Sequence, residues 1–400
     1  MNVQNRKGFI LPTVIFAVTI MSVVAIVALS TATDERRTSR ASRESTLAMY
    51  AAEAGLRQTY GAWPTAAVNA LTPGDSLDLG WKSLPNKAAY RAVIHRVDKG
   101  GLQEYAVIVQ GRRTDPTAGI MTIQGAVGAV PTFKYAVATD SGLYLNNGGL
   151  FDGYDSDRGA YVASSADSTA SLRSGVDLYV AQTLVKGDGS AVTTVTLGTG
   201  GVVTGGTTAS IAPVPVRDII PCPAGGYTPT AKVPTGPGIS YNAVTGVLTL
   251  NGGPTNLTLT DTTYFFRAIV LTNNAKLTLP GNPRVTIFLR DSLNASGGNV
   301  INQSNYPPAV SFVSCGTSPT PAYWALSSGS GPGAYPGYFS VYAPNHVVYE
   351  LGGGDFYGAV VAWIYYATGG GRFHYDAALA RQPSNRLEVQ KGSWAQLPGS

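Results

Sequence analysis

An uncharged apolar run of 21 residues, Phe9 to Leu29, dominates the pattern of the chain. It is entered through Arg6-Lys7-Gly8 and left through Asp34-Glu35-Arg36-Arg37. At 1.5 Å per residue a helix of that length spans about 30 Å, the thickness of a bilayer core. From Thr31 onward the run gives way to a polar stretch with no Pro and no Gly before Gly55. The helix is therefore expected to continue to near Tyr60, about 50 residues and about 75–80 Å in all. Leu47, Tyr50, Ala51 and Ala54 fall at helical spacing and are the face expected to pack a head domain.

Residues 61–85 are rich in Pro, Gly, Asp and Thr and read as a loop. Three stretches of period-two alternation follow, at 90–97, 104–110 and 120–124, separated by Asp98-Lys99-Gly100-Gly101 and Asp115-Pro116-Thr117-Ala118-Gly119. Such runs joined by turn residues predict a small antiparallel meander, placed at 61–130. Beyond Pro131 short apolar strands recur without a helical pattern, among them 142–145, 192–197, 246–250, 276–279, 284–289, 310–313 and 338–342. Groups such as Asn146-Asn147-Gly148-Gly149, Gly297-Gly298-Asn299 and Gly369-Gly370-Gly371 punctuate them. Over residues 131–400 this fits a large, mostly β domain, a parallel β-helix first and a β-sandwich second. The fold class expected for the whole chain is α+β.

Composition narrows the setting. Of 400 residues only 13% are charged, while Gly numbers 48 and Tyr 22, a balance that suits a turn-rich β protein outside the cell. A hydrophobic share of 44%, arriving in strand-sized groups, argues against disorder. The net charge of +5 is modest, and the cluster Arg36, Arg37, Arg40 and Arg43 has no aromatics between its members, so nucleic-acid binding is not expected there. Arg6 and Lys7 put the N-terminus in the cytoplasm and everything after residue 30 on the outer side. There, Cys222 and Cys315 are candidates for a disulfide. Two Cys and three scattered His offer no zinc spacing, and neither metal nor cofactor is expected.

A cleaved secretory signal carries an apolar stretch of only about 7–15 residues, shorter than this run. Arg6-Lys7-Gly8-Phe9-Ile10-Leu11-Pro12 followed by an unbroken apolar helix instead resembles the class III signal of type IV pilins and type II secretion pseudopilins. Downstream, Leu47-Ala48-Met49-Tyr50-Ala51-Ala52-Glu53-Ala54-Gly55-Leu56 resembles the end of the N-terminal helix of PilX-type minor pilins. The resemblance implies a leader at 1–8, cleavage by a prepilin peptidase after Gly8, methylation of Phe9, and a transmembrane and stalk helix at 9–60. It further implies an inner-membrane intermediate in contact with lipid, assembly with other pilins through the helix, and display on a pilus at the cell surface. Thr13 stands where major pilins carry a glutamate, a departure that points to a minor subunit. The last third, including Tyr342-Ala343-Pro344-Asn345 and Phe373-His374-Tyr375-Asp376, resembles the β-helical passenger found behind PilX-type stalks. The function expected is a pilus subunit that serves assembly or adhesion, with a surface or carbohydrate ligand as candidate partner.

Two rivals follow from the same patterns. One is a type II secretion pseudopilin, although its globular region would be largely helical. The other is a β-helical polysaccharide-active enzyme on a pilin anchor, which requires two carboxylates held a few ångström apart. Candidate acids are Asp152, Asp155 and Asp157 in one loop, then Asp261, Asp291, Glu350, Asp355 and Asp376, mostly isolated. The Asp152–Asp157 group lacks EF-hand spacing and reads as a solvated turn. His374 and Asp376 would share a face of a strand, but no Gly-x-Ser-x-Gly elbow supplies a nucleophile. His374 is expected as a satisfied histidine of a terminal rung, His95 and His346 as lone residues, and no enzymatic activity is expected.

Overall fold

The structure is a computed structural model and describes residues 10–64, 67–68, 70–99, 102–113, 120–129, 132–213, 220–316, 323–326, 335–382, 387–389 and 395–397. Helix α1 (Ile10–Gly61) is unbroken for 52 residues. Residues 13–43 make no buried contact, and the apolar side chains from Val14 to Leu29 are 46–73% exposed. That stretch is apolar and long enough to cross a membrane.

The last turns of α1 meet a sheet of β1 (Ser76–Leu84), β2 (Ala88–Lys99), β3 (Leu102–Arg113) and β4 (Met121–Ala129) in that order. β1 lies in the segment read as a loop: Leu77 and Leu79 alternate, but Gly80, with φ +68°, opens a bulge between Asp78 and Trp81 that breaks the period. The buried helix positions are Ala48, Ala51, Ala52, Gly55, Leu56 and Thr59, on the face that meets Tyr90, Val107, Val109 and Ile123. Leu47 and Tyr50, expected on this face, are exposed. The reason is close approach, which admits only small side chains. A Cβ on Gly111 of β3 would stand 2.1 Å from the Ala48 carbonyl oxygen and 2.4 Å from the Ala52 nitrogen. Burying each large apolar side chain of this core, such as Ile94 or Ile123, contributes about 1.5–3 kcal/mol.

The remaining strands up to residue 376 form a second compact unit. Its first group is β5 (Val137–Thr139), β6 (Leu143–Tyr154), β7 (Leu172–Ser174), β8 (Asp177–Val185), β9 (Gly189–Ala191), β10 (Thr194–Leu197), β11 (Val202–Val203) and β12 (Thr207–Thr208). Its second begins with β13 (Ile239–Asn242), β14 (Val247–Asn251), β15 (Asn256–Thr258), β16 (Thr263–Thr272), β17 (Lys276–Leu279), β18 (Val285–Asn294) and β19 (Asn299–Asn302). It ends with β20 (Val310–Ser314), β21 (Tyr323–Leu326), β22 (Gly337–Glu350), β23 (Asp355–Ala367) and β24 (Arg372–Asp376). Among the described pairings of named strands in this unit, all but β13 with β14 are parallel.

The order of stacking is not the order of the chain. From one end it runs β14, β16, β18, then β20 with β21, β22 and β23. The next layer joins β24 from the end of the unit to β5 and β6 from its beginning. Only then come β7 and β8, and finally β9 to β12. The seam is a continuous ladder, with Val360 opposite Val137, Tyr365 opposite Leu143 and Phe373 opposite Phe151. Phe151 and Phe373 stack with centroids 4.9 Å apart, so the interior crosses the seam without a gap. At its corner Gly149 has φ +65°, and a Cβ there would stand 2.4 Å from the Gly371 carbonyl oxygen. Cys222 and Cys315 are bonded to each other, 93 residues apart in sequence.

The sequence reading ran the β domain to residue 400, whereas β25 (Leu387–Val389) and β26 (Ala395–Leu397) belong to the small sheet, both beside β4. In sequence, the second unit is an insertion between β4 and β25. Its own first and last strands meet at the seam, which is what an insertion requires of its ends.

Candidate functional site

A group of chemistry-bearing side chains that the fold gathers from distant segments sits on the seam. β24 lies beside β6 with His374 opposite Asp152 and Asp376 opposite Tyr154. His374 Nδ1 is 2.6 Å from Asp152 Oδ1, across 222 residues of sequence, and both side chains are fully buried. The hydroxyl of Tyr161 donates to Asp152 Oδ2 at 3.0 Å, and Lys186 Nζ lies 3.8 Å from the same oxygen. Burial, and then that bond to Asp152, push the Tyr161 hydroxyl up to about 12.

Aromatic rings close over the imidazole. Tyr161 lies 4.0 Å and Tyr357 4.5 Å from it, centroid to centroid, and Tyr154 packs edge-on against both tyrosines. Nε2 of His374 and the hydroxyl of Tyr154 have no hydrogen-bond partner among the described residues. Asp376 does not touch His374. Its carboxylate accepts from the Ser156 nitrogen at 2.9 Å, the Ser156 hydroxyl at 2.6 Å and the Ala378 nitrogen at 3.1 Å. Burial raises its pKa, against the lowering effect of those bonds. Further out, Arg381 bonds Asp155 and Asp157, and the Tyr306 hydroxyl donates to Asp157 at 2.7 Å. The bonds from Arg381 and Tyr306 hold Asp157 below the usual carboxylate range.

This geometry corrects the reading of the acidic loop as a solvated turn: Asp152 is buried and paired, and Asp155 and Asp157 each meet arginine. It is a dyad without a nucleophile, since no hydroxyl or thiol of the described residues bonds Nε2 of His374. Nor do three or more His, Cys, Asp or Glu among the described residues stand where they could hold a metal ion together. His346, read as lone, has Nδ1 3.0 Å from the Ser314 hydroxyl and lies fully buried. Burial lowers it to about 4. The bonds of the cluster tie the loop 154–161 and the turn after β24 to the seam.

The other candidate surface is the exposed length of α1. Gly8 and Phe9, the expected processing residues, lie outside the described residues. A family model described as PilX N-terminal matches residues 7–57, the whole of this exposed helix and the start of its packed end. The N-terminal segment is similar to that of PilX-like type IV pilins. A second family model, described as a domain of unknown function (DUF7305), matches residues 246–382. No curated protein and no solved structure matches the chain.

The matched segment holds the exposed apolar helix, which is long and apolar enough to cross a membrane. The second match begins at β14 and ends just after β24, so it covers the strands that come first in the stack and stops at the seam. Sequence reasoning missed the His374–Asp152 pair because no local pattern links strands so far apart. The spacing of Tyr338-Phe339, Phe356-Tyr357 and Phe373-His374 is the signal that could have located that layer, for Tyr338, Tyr357 and His374 stack in register.

Proposed function

We propose that the chain is a minor pilin which anchors in the inner membrane, is cleaved after Gly8, and assembles into a type IV filament to display its larger unit. The observation that carries this is the match of residues 7–57 to the PilX N-terminal family on a helix whose apolar side chains find no cover among the described residues. An uncovered apolar surface of that size requires lipid or other helices. In this reading the displayed unit is a parallel β-helix, supported by the parallel ladders, and its role is adhesion or assembly rather than catalysis.

A feature of its surface suits adhesion. Tyr323, Tyr349, Tyr366 and Tyr144 form a ladder with centroid spacings of 5.6, 5.0 and 5.0 Å. Their ring faces are largely occupied by one another, so a ligand would meet rims and hydroxyls, groups that hydrogen-bond a surface or a glycan.

The test is a chain in which residues 132–386 are replaced by a short linker, leaving β25 and β26 to complete the small sheet. In a deletion strain it should restore piliation but not attachment. Restored attachment would remove the display role. Failure to restore piliation by a stable, membrane-inserted chain would make the larger unit part of assembly itself.

A further inference from the structure

At the β14 end of the stack, the first layer has three runs of strand, and two of them are capped by other segments of the chain. The outer edge of β14 is covered by β13, with Ile239 opposite Leu250 and Asn242 opposite Val247. The outer edge of the first half of β16 is met by Thr228, whose nitrogen donates to the Phe265 carbonyl at 2.8 Å and whose hydroxyl accepts from the Phe265 nitrogen at 2.8 Å. The third run is β15, which pairs only with β17 among the described residues.

The polarity of its bare edge follows from the bonds it does make. Lys276 donates to the Thr255 carbonyl at 2.9 Å and Leu259 donates to the Thr278 carbonyl at 3.0 Å. Residues 255, 257 and 259 therefore face β17. Asn256 and Thr258 turn both N–H and C=O the other way, because peptide groups alternate along a strand. On that side lies an open groove of about 560 Å³, walled by Pro234–Ile239 across from Pro254–Thr258. Nothing charged lines it. Asn256 and Thr258 are exposed, and Leu257 is buried inward.

We propose that this groove is an acceptor site for one extended, uncharged peptide strand from a partner polypeptide, which pairs with β15 and completes the cap. The chemistry is that of the β13 cap already present, backbone against backbone, and unpaired strand edges take partners in this way. The absence of charge in the lining disfavours an acidic or basic segment, whose ionic groups would lose water without a partner.

The full-length chain in detergent should bind the probe peptide acetyl-Ser-Thr-Val-Thr-Val-Thr-Ser-amide saturably. Amide exchange at Asn256 and Thr258 should slow at least tenfold in the complex. The double variant Asn256→Lys with Thr258→Lys should weaken binding at least tenfold while its melting temperature is unchanged. Should that variant misfold, Thr235→Lys on the opposite wall must give the same loss. A peptide with Pro at both Val positions should not bind. Lack of binding, unchanged affinity in the variants, or amides already protected in the free monomer would each overturn the proposal. Protection that tracks dimer formation would overturn it in favour of a second copy as occupant.

Discussion

Glu350 and His346, four residues apart on β22, are both buried, and burial moves their protonation in opposite senses. The Glu350 carboxyl accepts from the Tyr365 hydroxyl, yet burial raises it from 4.5 to about 7. His346 is lowered from 6.5 to about 4. For Glu350 the native state holds a proton that the unfolded chain has released between these values. Its contribution is full below pH 4.5 and is lost as pH rises through about 7. For His346 the unfolded chain takes up the proton first, so its contribution is full above pH 6.5 and is lost as pH falls through about 4. At about 1.4 kcal/mol per pH unit each amounts to about 3 kcal/mol, and between pH 4.5 and 6.5 the two slopes oppose each other. The perturbations are Glu350→Gln, which keeps an acceptor for Tyr365 but cannot ionise, and His346→Gln, which removes the titrating ring. The assay is the urea midpoint and slope of the larger unit at pH values from 4 to 9. Relative to the parent, Glu350→Gln should gain about 3 kcal/mol between pH 4.5 and pH 8. His346→Gln should gain a similar amount as pH falls from 6.5 to 4. Difference curves that stay flat with pH, whatever their offset, would refute the reasoning.

Two further outcomes follow from the seam and its surroundings. Asp152→Asn disturbs the buried bonds that His374 and the Tyr161 hydroxyl make to this side chain and should cost about 1–3 kcal/mol, the range for leaving a buried polar partner unsatisfied, read as earlier melting of the larger unit and faster proteolysis in the loop 154–161. Unchanged melting would show that the pair does not hold the seam. Replacing Cys222 and Cys315 by Ser opens a 93-residue loop and should cost about 2–4 kcal/mol in the larger unit while leaving the small sheet's transition unmoved.

The parts of the fold legible in the sequence were those fixed by local pattern. The 21-residue apolar run and the breaker-free stretch behind it give α1, and the alternation around Val93, Val107 and Ile123 gives β2, β3 and β4. The parts that were not legible depend on distant pairing. β25 and β26 are three residues each, too short to carry a period, and join β4 only through tertiary contact. The seam pairs residues 360–376 with 137–154, and nothing in either stretch announces the other. Asp152 looked like a turn acid because its neighbours Gly153, Ser156 and Asp157 are turn residues; its burial is decided by β24. Leu47 and Tyr50 lie off the packed face because the space there, set by Gly111, and not apolar size decides which helix positions are covered.

Processing and assembly as a pilin are read directly by mass spectrometry of sheared, purified filaments from cells that express the chain. The expected result is a subunit whose first residue is N-methylated Phe9 and whose peptides extend through the larger unit. Recovery of an intact Met1 on assembled protein, or of a soluble chain cut near residue 30 and absent from filaments, would contradict it.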